Sequence, residues 1–135
     1  TEGVKILIKR SKTDQSGEGS VKAIPYFDNQ EFCPVVALKN YVKKKFSNTN
    51  EGKVFNISDK SVALIIKRYA EKAGLDSSKY AGHSLRSGFA TTAAEFGAEE
   101  RNIMAMTGHK TTQMVRRYIQ EANLFKNNAL NKIKI

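Results

Sequence analysis

Four residues in the second half of the chain have side chains that could act together on a phosphate ester. His83 and Arg86 lie one helical turn apart, so a helix would place both on one face. An arginine can bind two oxygens of one phosphate at once, which a lysine cannot do. His109 and Tyr118 follow later in the chain. Taken separately, these residues have simpler explanations. A histidine and an arginine one turn apart usually belong to the charged surface, and a single tyrosine more often belongs to the core.

The sequence around the second histidine and the tyrosine is also suited to phosphate chemistry. Gly108 allows a tight turn, so His109 would be presented just before a helix start, where an anion is favoured. Tyr118 falls within that helix, and Arg116 and Arg117 precede it directly. A phenol can attack phosphorus at neutral pH if cations and a base help it to ionise. Cleavage of a phosphate ester also needs cationic side chains next to the phosphoryl oxygens and an acid that protonates the leaving oxygen.

The elements that must position these residues begin with a predicted β-hairpin. Two aliphatic, β-branched segments, residues 4–8 and 21–24, are joined by a polar connection that contains Lys12 and two glycines. Pro25 would end the second strand or lie at its edge. Helical patterns fill the rest of the chain. We therefore expect an α+β fold that is mostly α-helical.

Start and stop signals mark five helices. They are expected to begin near Pro34, Ser58 or Asp59, His83, Glu99, and Thr111 or Thr112. Glycines would end three of them, at Gly74, Gly97 and Gly108. The second helix has a regular apolar stripe, formed by Val62, Ile65, Ile66, Tyr69, Ala70 and Ala73. In the third helix the residues expected to face inward are Leu85, Phe89, Ala93 and Phe96.

Composition limits the classes of partner and compartment. The chain has 135 residues, enough for one domain with a modest core. Its net charge of +10 favours a polyanionic partner, and nucleic acid fits better than a membrane surface because no separate basic amphipathic helix is present. No apolar run approaches the roughly 20 residues that span a bilayer. The single cysteine, Cys33, fits a reducing compartment, so we expect a cytoplasmic protein.

The order and spacing of His83-x-x-Arg86, Gly108-His109 and Tyr118 resemble the signature of the tyrosine recombinase, or phage integrase, family. That family also has a lysine on a hairpin ahead of this motif, and Lys12 occupies the matching place. The resemblance spans nearly the whole chain. It implies a helical catalytic core preceded by a small β-sheet, and double-stranded DNA as the partner.

The resemblance also implies a role for each residue. Tyr118 would attack the scissile phosphate and form a 3′-phosphotyrosine, while Arg86 would bind the phosphoryl oxygens. His109 would donate a hydrogen bond to the same group, and His83 would act as general base or phosphate ligand. Lys12 would protonate the departing 5′-hydroxyl. The 5′-hydroxyl of a second strand then reverses the step, so recombination would need no metal and no nucleotide cofactor.

Further basic residues and the C-terminal tail are candidates for binding. The candidate DNA contacts are Arg10, Lys110, Arg116 and Arg117. The resemblance implies a tetramer on two duplexes, associated with the nucleoid, in which the segment after the tyrosine reaches a neighbouring protomer. The apolar residues of that segment could form this exchange surface or a last core helix, and they are Leu124, Phe125, Leu130, Ile133 and Ile135.

Departures from the family pattern shape the expected organisation. The family has another catalytic arginine, with a nearby acidic residue, upstream of the hairpin. We therefore expect residues 1–135 to be a C-terminal catalytic domain without the upstream core-binding domain, with weak, salt-sensitive DNA binding and little or no cleavage when isolated. Ser87-Gly88-Phe89 stands where the family often has His-Thr-Phe, and Val115 where it often has threonine.

Three other functions compete with recombination. A basic DNA- or RNA-binding module without catalysis explains the charge but leaves the spacing of the four residues to chance. A type IB topoisomerase shares the chemistry, although the Gly108-His109 motif is more typical of integrases. A metal hydrolase using His83, His109 and Cys33 is disfavoured, because the spacing matches no compact ligand set.

Overall fold

The computed structural model of the chain describes residues 2–10, 17–126 and 128–133. Over these residues it contains a two-stranded antiparallel sheet and five α-helices, which confirms the predicted α+β, mostly helical fold. The chain divides into two compact units, residues 1–56 and residues 57–135. Within the described ranges, none of the helices combines the length and the hydropathy required for a membrane span.

The first unit contains the predicted hairpin. Strand β1 (Gly3–Ile8) pairs antiparallel with β2 (Ser20–Pro25), and Val4 lies opposite Ile24. Alternate residues of β1 are half-buried, as expected for strands with one covered face. The second strand ends at its proline, as predicted.

One helix completes the first unit. Helix α1 (Pro34–Lys45) begins with proline in its first turn and contacts β2. Val35 is buried on this helix, and so is Cys33 directly before it. The Cys33 thiol is free, and its sulfur accepts a hydrogen bond from the backbone N–H of Phe27 at 3.3 Å. The cysteine therefore serves as a small apolar side chain in the local core.

Four helices form the second unit. They are α2 (Asp59–Lys72), α3 (Gly82–Glu95), α4 (Glu100–Thr107) and α5 (Thr112–Ala122). The predicted cap is confirmed at α2, where the Ser58 hydroxyl accepts the backbone N–H of Ser61 at 3.1 Å. At the end of α4, Gly108 adopts a left-handed φ of 73°, which a glycine accommodates without strain.

The core of the second unit is a contact between α3, α4 and α5. Its buried residues are Ala90, Ala94, Ile103 and Val115. The two alanines of α3 allow α5 to approach closely, because a methyl side chain occupies little space between the helices. Tyr118 packs against this cluster from the next turn of α5. The contact therefore holds Tyr118 against the helix that carries Arg86.

The prediction of the inward face of α3 was wrong for Leu85, Phe89 and Phe96, whereas the fourth predicted residue, Ala93, is half-buried and packs against the core. Leu85 is 57% exposed and Phe96 is 88% exposed, and Phe89 is also exposed. The buried face is formed by Ala90 and Ala94 instead. Helical periodicity groups residues on one face, but it does not say which face meets a neighbour.

Two other apolar segments are also exposed. Most of the predicted stripe of α2 lies at the surface, with Ala70 as its buried member. The described tail contains a short 3-10 turn at Ala129–Lys132, and its described apolar residues are exposed, while Ile135 lies outside the described residues. A last core helix is therefore wrong for the described tail, while the exchange surface stays a prediction.

Candidate active site

Arg86 lies in the second turn of α3, with His83 one turn before it. Both residues line a surface cleft between the first turns of α2 and α3, to which Asp59 also contributes. Arg86 is half-buried, and its Nε atom is enclosed without a hydrogen-bond partner among the described residues. An unpaired buried donor is costly, so this guanidinium is suited to binding an acceptor such as a phosphate oxygen.

His109 is buried beside the end of α4, with 9% of its surface exposed. The left-handed turn at Gly108 brings its ring back to Thr107, so that Nδ1 lies 2.6 Å from Thr107 Oγ1. The Thr107 hydroxyl donates its single proton to the carbonyl oxygen of Ile103 at 3.0 Å. This arrangement favours the tautomer in which Nδ1 carries the proton and donates it to Thr107. The neutral imidazole then has its lone pair on Nε2.

The surroundings of His109 favour this neutral form. Burial lowers the pKa of His109 below its usual value of 6.5, and the positive charge of Arg86 lowers it further. The imidazole and the guanidinium are thus close enough to interact. A phosphate held by Arg86 would bring negative charge to the ring and favour the protonated form, in which Nε2 becomes a donor.

Tyr118 is half-buried on α5, and its ring lies beside that of His109. Its ring centroid lies 6.0 Å from that of His109, with the two planes at 45°. Its hydroxyl lies 3.1 Å from Ser87 Oγ. Because Ser87 directly follows Arg86, the phenol oxygen lies beside the segment of α3 that carries the guanidinium.

The second unit therefore brings together three of the predicted catalytic residues, Arg86, His109 and Tyr118. His83 is exposed on the adjoining cleft. Lys12 lies outside the described residues. Arg10 is exposed after β1 and belongs to the first unit. Across the described ranges, no group of three or more His, Cys, Asp or Glu side chains could hold a metal ion.

Residues 29–124 match the model of the phage integrase family. The chain belongs to that family. The matched region contains the four residues of the second unit, His83, Arg86, His109 and Tyr118, whereas Lys12 and Arg10 precede it.

Curated relatives of this phage integrase family member are longer proteins. An integrase/recombinase XerD homolog of Selenomonas ruminantium is 44% identical over 144 residues, covering 98% of this chain and 42% of the relative. The tyrosine recombinase XerA of Pyrococcus furiosus is 32% identical over 108 residues, covering 67% of this chain and 37% of the relative. The chain thus spans less than half the length of these relatives. No solved structure matches it.

Three of the predicted DNA contacts of this family member lie close in sequence to the site. Arg116 and Arg117 are exposed on α5, where they line a shallow groove, and Lys110 is exposed directly after His109. Arg116 forms an ion pair with Glu100 at 3.3 Å. The arginine side chain of this pair is 64% exposed, so the pair contributes little stability.

Sequence reasoning missed two residues of the site, Ser87 and Thr107. The Ser87 hydroxyl contacts Tyr118 across two helices, and no local pattern links residues so far apart. Thr107 had a weak signal, since a hydroxyl, a glycine and a histidine in succession allow the histidine to fold back onto the hydroxyl.

Proposed function

We propose that this chain is the C-terminal catalytic domain of a site-specific DNA recombinase that cleaves and rejoins DNA through a 3′-phosphotyrosine at Tyr118. One observation carries the proposal: the Tyr118 hydroxyl lies beside the segment of α3 where Arg86 has a buried Nε without a partner among the described residues. A phenol and a guanidinium that can bind the same phosphodiester are suited to attack on its phosphorus. The names of the relatives, integrase and tyrosine recombinase, support the same reaction.

Each step of strand cleavage is assigned to a residue. The Tyr118 oxygen forms a bond to phosphorus, its proton leaves to a base, and the bond from phosphorus to the 5′-oxygen breaks. Arg86 binds the non-bridging oxygens, and His109, once protonated, donates from Nε2 to the same group. His83 is the proposed base or a second phosphate ligand. Lys12 protonates the leaving 5′-oxygen.

Rejoining reverses these steps with the 5′-hydroxyl of another strand. The phosphotyrosine conserves the energy of the phosphodiester bond, so the proposed reaction consumes no nucleotide cofactor and uses no metal. The strand that attacks decides the outcome. A strand from a second duplex gives recombination, and the original strand restores the starting DNA.

DNA binding and assembly complete the proposal. Arg10, Lys110, Arg116 and Arg117 contact backbone phosphates, which makes binding strongly salt-dependent. The active assembly is a tetramer on two duplexes, held through the exposed tail after α5, and it acts at the nucleoid. The isolated chain binds DNA weakly and cleaves little or none, because the proposed upstream arginine and core-binding domain are needed to complete the site.

The test uses the full-length protein that contains this chain, with a pool of nicked duplexes randomised around the nick. Attack near the nick releases a short strand, so that the covalent adduct is trapped and its DNA can be sequenced. We expect adducts with wild type and with Tyr69→Phe, which alters an exposed tyrosine of α2, and none with Tyr118→Phe. DNA binding without any wild-type adduct would instead indicate a binding module without catalysis.

A further inference from the structure

We propose that Ser87 is a positioning residue for Tyr118: its hydroxyl holds the phenol oxygen against the segment of α3 that carries Arg86 and donates a hydrogen bond to that oxygen as it ionises. The inference rests on the proposed function of Tyr118 as nucleophile. It adds a residue that neither composition nor spacing indicated.

Two independent constraints fix the phenol. The Tyr118 ring packs against the buried cluster between α3, α4 and α5. Its hydroxyl lies 3.1 Å from Ser87 Oγ, and either oxygen can be the donor. Both side chains are half-buried, so water competes less for this bond than it would at the surface. Packing thus sets the plane of the ring, and Ser87 sets the position of the oxygen against the segment of α3 that carries Arg86.

A serine hydroxyl can support both protonation states of the phenol. It has one proton to donate and two lone pairs that accept. While Tyr118 is neutral, its phenol donates to Ser87. When the phenol proton leaves to the base, the serine hydroxyl rotates and donates to the phenolate oxygen. Ser87 itself gains and loses no proton and forms no covalent bond.

The ionised state of Tyr118, in which Ser87 donates to the phenolate, determines the effect of Ser87 on the reaction rate. A hydrogen bond to an ionised acceptor is roughly twice as strong as one between neutral groups. The contribution of Ser87 therefore grows as charge develops on the attacking oxygen. An interaction that strengthens along the reaction accelerates the chemical step rather than DNA binding.

Substitution in the full-length protein tests this role. Ser87→Ala should slow adduct formation at saturating DNA by about ten- to a hundredfold, the range for a lost hydrogen bond to a charged group. DNA affinity should stay unchanged, and the rise of the rate with pH should move to higher pH. Ser87→Thr should restore the rate, and Thr92→Ala, which alters an exposed hydroxyl of α3, should match wild type.

A second readout does not depend on cleavage. In this chain carrying tyrosine labelled with 13C at Cζ, the Tyr118 resonance, assigned by its loss in Tyr118→Phe, should move in Ser87→Ala and stay in place in Thr92→Ala. An unmoved resonance, or a Ser87→Ala rate and pH profile equal to wild type, overturns the role of Ser87. If Tyr118→Phe still forms the adduct, the proposed function fails instead.

Discussion

Replacing Arg86 by methionine should stabilise the second unit while abolishing phosphate binding. The Nε atom of Arg86 is buried without a partner in the described part of the chain. An unpaired buried donor costs about 1–3 kcal/mol, and we take the lower part of that range, about 1–2 kcal/mol, because the residue as a whole is half-buried. Methionine keeps an apolar stem of similar shape. The ratio of folded to unfolded chain should therefore rise about five- to thirtyfold.

Native-state hydrogen exchange of the α3 amides around Ala90 and Ala94 measures this change within the second unit. Arg101→Met is the matched control, because Arg101 forms an exposed ion pair with Glu99 at 2.7 Å and should change stability by less than about 0.5 kcal/mol. Added inorganic phosphate should stabilise wild type and leave Arg86→Met unaffected. A loss of more than about 1 kcal/mol in Arg86→Met, or equal stabilisation of both by phosphate, would refute the reasoning.

Two further predictions concern His109. Because its pKa in the folded chain lies below 6.5, the stability it contributes is complete above that pH and is lost as the pH falls through the folded pKa. Urea denaturation should show the second unit weakening as the pH falls below 6.5, and a His109→Gln variant with the full wild-type pH dependence would contradict this. Thr107→Val removes the acceptor for Nδ1, so 15N NMR of the ring should show the proton moving to Nε2, whereas Thr107→Ser should keep it on Nδ1. An unchanged tautomer in Thr107→Val would show that Thr107 does not set it.

Local chemistry made the elements of the fold predictable. The proline at the start of α1, the Ser58 cap of α2 and the glycine that ends α4 each act on their own turn of backbone. Burial was less predictable, because it depends on which helix faces meet. Leu85 and Phe89 are the larger apolar residues of α3, yet the methyl groups of its alanines form the contact with α5.

The site was predictable to the extent that its residues form a recognisable order. Arg86, His109 and Tyr118 could be selected from the sequence, and the packing of α3, α4 and α5 brings them together. The residues that form hydrogen bonds with these side chains could not be selected from the sequence. The bonds from Ser87 to Tyr118 and from Thr107 to His109 depend on distances between side chains, which one sequence does not encode in any short pattern.

The most direct measurement is mass spectrometry of the peptide that remains attached to DNA after the full-length protein is trapped on a nicked duplex and digested. We predict a nucleotide joined through its 3′-phosphate to Tyr118. Attachment at any other side chain, or through a 5′-phosphate, would contradict the assignment of this tyrosine as the nucleophile.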